Sequence, residues 1–136
     1  MTKPSKLVEE WLVSAENDLA YAKVGFAETS LWANVCFSCQ QAFEKYLKAY
    51  LISKKVDFPM THDLTRLLNL CLKNDPAFSE FEELASMITP YGSAARYPDI
   101  GALEFSREQA EQALESAEKL GRFVKNKLSN HVARRP

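Results

Sequence analysis

Apolar side chains recur at alternating steps of four and three residues through the start of the chain, at Val8, Leu12, Ala15, Leu19, Ala22 and Phe26. On a helix that spacing gathers them into one stripe, so the pattern predicts a helix over roughly residues 5–28. Gly25 and Thr29-Ser30 mark its fading end, and Ser30 is placed to cap the next helix through its hydroxyl oxygen. The second segment, roughly residues 31–54, contains neither proline nor glycine. At about 100° per residue its apolar side chains, from Leu31 and Val35 through Cys39 and Phe43 to Leu47 and Leu51, fill an arc of about 200°. A helix that apolar must meet neighbours on several sides, which puts it at the centre of a bundle or against a partner. Its remaining arc carries Asn34, Ser38, Gln41, Glu44, Lys45 and Lys48.

Phe58-Pro59-Met60-Thr61 breaks the chain, because proline lacks a donor and pushes the preceding residue out of helical geometry. Thr61 is then read as the cap of a short helix whose Leu64, Leu67, Leu68 and Cys71 share a face. Asp75-Pro76 repeats the device, a cap followed by proline in the first turn, and Phe78, Phe81, Leu84, Ala85 and Ile88 form the next stripe. Residues 90–105 show no helical period and are punctuated by Gly92, Pro98 and Gly101. A structureless connection of about 15 residues is unusual in a compact domain and often functional. Ser106-Arg107-Glu108-Gln109 is a capping box, and Ala110, Ala113, Ala117, Leu120, Val124 and Leu128 make the stripe of a last helix, with a frayed end from Asn130. No strand-like alternation or long repeat intervenes. The pattern predicts an all-α fold: one domain over residues 1–136, a five-helix, mostly up-and-down bundle with a long loop before the last helix.

Composition narrows the function classes. The apolar share of 46% and charged share of 26% are those of a globular chain, and four glycines in 136 residues favour helices. Seventeen basic against eighteen acidic residues give a net charge of −1, so no whole-molecule field draws the chain to nucleic acid or membrane, and any basic site must be local. Charges interrupt every apolar run well short of a membrane span, and the first residues hold no secretory signal. Three cysteines, an odd number, fit a reducing cytoplasm.

Candidate chemistry is sparse. Cys36-Phe-Ser-Cys39 has the spacing of a redox or zinc pair, but both thiols fall mid-helix on the apolar arc, where they read as small core residues; Cys71 reads alike. Neither His62 nor His131 follows a glutamate at the di-iron step, and the chain has no Gly-x-Ser-x-Gly elbow and no glycine-rich phosphate loop. The sequence thus names no metal and no cofactor. What remains is the ridge Ser38, Gln41, Lys45 and Lys48 on the second helix, His62 beside a helix start, and Arg96 and Tyr97 in the long loop. The ridge could equally be a solvated face carrying a Glu44–Lys48 ion pair, and Arg96 could anchor its loop or meet a phosphate as a planar five-donor fork.

The run Phe37-Ser-Cys-Gln-Gln-Ala-Phe-Glu-Lys-Tyr-Leu-Lys-Ala-Tyr-Leu51, then Pro59-Met-Thr-His-Asp-Leu64 and later Ala95-Arg-Tyr-Pro98, closely resembles the HEPN domain of higher eukaryotes and prokaryotes. Trp11-Leu-Val-Ser-Ala-Glu-Asn-Asp-Leu-Ala20 is similar to that family's first helix. The resemblance implies a five-helix bundle, often a homodimer, encoded beside a minimal nucleotidyltransferase in a toxin–antitoxin-like pair, with a nucleotide-binding role. The family's ribonuclease branch cuts RNA without metal through an Arg-x4–6-His motif. That motif is missing: no arginine precedes His62, and eight residues separate Arg122 from His131. The reading is therefore a cytoplasmic, non-catalytic binding module for a nucleotide or RNA phosphate, with Gln41, Lys45, Lys48, His62, Arg96 and Tyr97 as ligand-binding residues. The alternatives are a metal-independent endoribonuclease using His62 and Arg96, and a structural oligomeriser whose exposed apolar arc is the interface.

Overall fold

A computed structural model describes residues 5–94 and 105–133. Among them the elements are α1 (Lys6–Glu28), α2 (Trp32–Ser53), α3 (Leu64–Asn74), a 3₁₀ stretch (Pro76–Phe81), α4 (Glu82–Ile88), α5 (Tyr91–Ala94) and α6 (Arg107–Ala133), with no strand. The fold is all-helical as expected, but the described residues hold six α-helices rather than five. One feature adds to the count: a single turn, α5, forms where no helical period was read. The segment opened by Asp75-Pro76 keeps its place but begins as 3₁₀ and becomes α-helical only from Glu82. α6 runs through Ala133.

α2 is the central helix, packed on α1 and α6 along most of its length and touching α3, α4 and α5. Fourteen of its residues are buried, so the wide apolar arc is used up inside the chain. That covers most of the α2 arc on which an oligomer interface was read, with Leu31 left exposed at its start. Exposed large apolar side chains lie instead mainly on α1, at Leu7, Val13, Tyr21 and Val24, with Leu31 and Met60 nearby in sequence to α2 and α3. No helix among the described residues is long and apolar enough to cross a membrane.

The stripes pack as their spacing indicated. Val8, Ala15, Leu19 and Ala22 of α1 are buried while Leu12 and Phe26 are partly so, and all six stripe positions of α6 are buried. Small residues let α6 close on α2. A methyl group placed on Gly121 would stand 2.7 Å from Tyr46 Cζ, so only glycine admits the tyrosine ring there. Beneath the chain's other end, Tyr50, Phe78, Phe81 and Phe123 form an edge-to-face aromatic cluster with neighbouring centroids 4.6–5.0 Å apart. All three cysteines are free and buried; burial pushes the Cys36 and Cys71 thiols up to about 12 and raises Cys39 as well. They are inert core side chains.

The caps hold in part. Ser5 accepts from Val8 N at 3.2 Å, Asp75 accepts from Ala77 N at 3.0 Å, and the capping box closes reciprocally, Ser106 N to Gln109 Oε1 at 2.8 Å and Gln109 N to Ser106 Oγ at 3.1 Å. Two expected caps are displaced by one or two residues. Thr29, not Ser30, makes the corner before α2: its hydroxyl donates to Gly25 O and accepts from Leu31 N. Asp63, not Thr61, caps α3, accepting from Thr65 N at 3.0 Å, while Thr61 Oγ1 accepts from Asp63 N one turn earlier. The charged carboxylate is the better acceptor, so it takes the helix end. α2 ends in a motif the sequence hides, because its left-handed residue is Lys55 (φ 58°) rather than glycine. Val56 N reaches back to Leu51 O and Lys55 N to Ile52 O, both at 3.0 Å.

These carboxylates set an acid limit on stability. The Thr65 hydroxyl holds Asp63 below its ordinary pKa, and the Lys127 ammonium does the same for Asp75. Burial pushes Glu16 up, but hydrogen bonds from Lys125 and Tyr46 outweigh it and leave that carboxyl lowered too. A depressed folded pKa contributes stability above the unfolded value and loses it as pH falls through the folded one. The urea midpoint is therefore expected to drop steadily from about pH 5 to about pH 2. The loss should be smaller in Asp63→Asn/Asp75→Asn; an equal loss in that variant would remove these two groups as its cause.

Candidate functional site

The polar arc of α2 is not a solvated face. Ser38, Glu44 and Lys48 are buried, and Gln40, which the helical wheel did not place on the arc, is fully buried beside them. Glu44 stands at the centre, its side chain only 5% exposed. Its Oε2 accepts from Lys48 Nζ at 2.8 Å, one turn along the same helix. Its Oε1 accepts from Gln40 Nε2 at 3.3 Å and faces His62 Nδ1 at 3.0 Å. Gln40 Nε2 also donates to the backbone oxygen of His62 at 3.3 Å, so the segment before α3 is clipped to α2 at two points.

This arrangement sets the chemistry of His62. A carboxylate oxygen has only lone pairs to offer, so Nδ1 carries the proton that faces it, and of the two neutral tautomers this contact selects the one that accepts through Nε2. The imidazole is 77% exposed, yet it is held from a buried carboxylate. Lys48 Nζ stands 5.5 Å from the Trp11 ring centroid and 5.7 Å from that of Phe58, where it balances the Glu44 charge.

Beside the clip runs a half-open groove of about 490 Å³, within the usual range of small-molecule sites. α2 contributes Phe37, Gln40 and Gln41 to its wall, and the start of α3 contributes His62 and Asp63. Thr89, Gly92 and Ser93 close the other side. The Thr89 hydroxyl donates to Ala85 O at 2.8 Å and accepts from Leu64 N at 3.2 Å, which fixes the end of α4 to the start of α3. α5 carries Gly92 directly over the Gln40 amide, and buried Tyr91 meets Phe105 with ring centroids 5.5 Å apart. Part of the long connection thus packs on α2.

Of the six residues read as a ligand site, the fold brings Gln41 and His62 to this groove. Lys48 backs it from inside. Lys45 turns the other way, its ammonium 2.7 Å from Asp18 Oδ2 on α1, an ion-pair contact outside hydrogen-bond geometry. Arg96 and Tyr97 lie outside the described residues. Sequence reasoning passed over Gln40, Asp63 and Gly92. Only the burial of a glutamine within the motif run could have flagged the first, and no periodicity reports that.

The same residues carry the family. The chain matches the HEPN domain family over residues 8–127, a span that takes in most of α1, the whole clip and most of α6. It is a HEPN domain. Among solved structures, this HEPN chain is similar to TT1696 from Thermus thermophilus, with a TM-score of 0.76 and 28% identity over 91% of this chain and 100% of that one. It shares its fold with ST0689, an archaeal HEPN homologue, at a TM-score of 0.71 and 24% identity over 94% of this chain and 99% of that one. No curated protein matches it.

Proposed function

We propose that this HEPN domain is a non-catalytic binding module that takes a nucleotide, free or within RNA, in the groove beside His62. The observation carrying this reading is the clip itself: an exposed imidazole held through a buried Glu44–Lys48 pair at the edge of a polar groove. Such support costs desolvation and is the kind of preorganisation that favours a bound ligand. Gln41 and His62 contact the ligand, Lys48 acts through Glu44, and Arg96 with Tyr97 supply the phosphate side. Lys45, paired with Asp18, contributes least. Calorimetric titration with nucleoside triphosphates and short RNAs is expected to show binding that His62→Ala and Arg96→Ala each weaken. No heat from wild type with either ligand class would overturn the reading.

The proposal includes a homodimer working beside a minimal nucleotidyltransferase in the cytoplasm, as the family resemblance implies. Tyr21, Val24 and Leu31 offer an apolar surface for a second copy. Light scattering tests the dimer, and co-purification with a neighbouring transferase tests the pair. A second reading is favoured by one feature: a carboxylate behind Nδ1 is also what equips Nε2 as a general base. A metal-independent endoribonuclease predicts RNA cleavage in EDTA that both His62→Ala and Glu44→Gln abolish. Intact RNA after incubation with wild type leaves the binding role alone.

A further inference from the structure

The groove is short of cations and rich in acceptors. Lys45 and Lys48 are both engaged by carboxylates, and no lysine or arginine lines it among the described residues. Asp63 lines it with a carboxylate kept ionised by Thr65, whose backbone N–H and hydroxyl both bond Oδ1. A carboxylate has about four acceptor sites, so capacity remains for a ligand. In its neutral tautomer His62 adds Nε2 as an acceptor.

Gln40 supplies the independent observation. Its side chain is 0% exposed, and its Oε1 has no hydrogen-bond partner among the described residues. The amide cannot be turned round, because Nε2 faces two acceptors, Glu44 Oε1 and His62 O, and an oxygen there would be repelled by both. An unpaired buried carbonyl calls for a donor. The cover over it is thin: Gly92, with no side chain, on the four-residue α5, which hangs from the end of α4 by long 3.3 Å bonds, Gly92 N to Thr89 O and Ser93 N to Pro90 O. An outward shift of that turn would open the Oε1 atom to the groove.

We infer that the groove reads a nucleobase through donors on its edge, and that the base is guanine, held through its ring N1–H and exocyclic N2 amino group by the acceptors of Gln40, Asp63 and His62. The exposed His62 ring provides a face for stacking. Guanine is the base with two adjacent donors on its Watson–Crick edge; adenine and cytosine present one amino group beside an acceptor, and uracil one N–H between two carbonyls. Phosphate finds no partner in this groove and must be held elsewhere.

The inference rests on the nucleotide-binding reading of the same groove, and its test separates the two. GMP, IMP, UMP and ribose 5-phosphate are titrated into wild type, together with G-containing and G-free RNA oligomers to distinguish a free nucleotide from an RNA base. GMP is expected to bind about tenfold tighter than IMP, which lacks only the N2 amino group. Asp63→Asn keeps the cap but replaces an acceptor with a donor, and it should bring GMP down to the IMP level. Gly92→Ala, which sets a methyl 3.2–3.4 Å from the Gln40 amide, should weaken GMP while leaving the far-UV circular dichroism unchanged. Equal binding of GMP and IMP, ribose 5-phosphate matching GMP, or a base preference untouched by Asp63→Asn would overturn the guanine assignment while nucleotide binding stood. Spermidine or argininamide outcompeting GMP would assign the groove to a cationic ligand and overturn it too. No binding of any nucleotide or RNA would sink the underlying reading and this one with it.

Discussion

Glu44→Ala is expected to lower the free energy of unfolding by about 3–5 kcal/mol, because it leaves the Lys48 ammonium charged, buried and unpaired. The lysine cannot escape easily. Its side chain is 10% exposed, and the Trp11 and Phe58 ring centroids lie 5.5 and 5.7 Å from its ammonium. The variant also takes an acceptor from Gln40 Nε2, which keeps only His62 O, and from His62 Nδ1. Urea unfolding followed by circular dichroism measures the loss. A cost below about 1 kcal/mol would mean that the pair behaves as an exposed one. The double variant Glu44→Leu/Lys48→Met separates burial from pairing: with both charges gone, most of the stability should return, whereas the His62 anchor should not. If ligand binding is lost in the double variant while the fold is recovered, the pair serves the groove rather than the core.

The second large effect is expected in the aromatic cluster. Phe78 is fully buried, with Tyr50 on one side at 4.6 Å and Phe123 on the other at 4.9 Å. Phe78→Ala removes the middle ring of three and opens a cavity that rigid neighbours cannot fill. The Tyr50 hydroxyl is tied to Asn74 Oδ1 at 2.7 Å, which limits how far that ring can collapse inward. The expected cost is about 3–5 kcal/mol. For a chain of this length that lowers the melting temperature by roughly 10–20 °C. Phe78→Leu should cost clearly less, since most of the volume is kept. Equal losses for the two variants would argue against cavity formation as the cause. The cluster joins α2, the 3₁₀ stretch and α6, so the loss should be global, with all helical signal melting in one transition.

Much of the fold was legible because it follows from spacing. A helix repeats about every 3.6 residues, so Val8 to Phe26 and Ala110 to Leu128 announce both the helix and its buried side. Caps were legible where one residue type had no competitor, as at Asp75 and the Ser106–Gln109 box. They slipped where two candidates stood close together. Thr29 beside Ser30 and Asp63 near Thr61 offer alternative acceptors, and backbone geometry chose between them. The left-handed Lys55 was invisible because lysine carries no turn signal.

The candidate site was legible in its words and not in its physics. The motif run and the His62 segment identified the family, and they pointed to α2 and the start of α3 as the place of interest. The wheel also paired Glu44 with Lys48, as their spacing of four allows. Whether that pair faced water was another matter. Periodicity says which side chains share a face; it does not say which neighbour covers the face. α1 and the segment before α3 come over the polar arc, so Glu44 and Lys48 are enclosed and their pairing becomes obligatory rather than marginal. The same packing turned Lys45 toward Asp18 and brought His62, 18 residues from Glu44, within 3.0 Å of it. The sequence alone determined the helices, their buried stripes and the family, since those depend on local repeat and residue type. Only the tertiary structure decided which polar groups lost their water, because that depends on contacts between segments far apart in the chain.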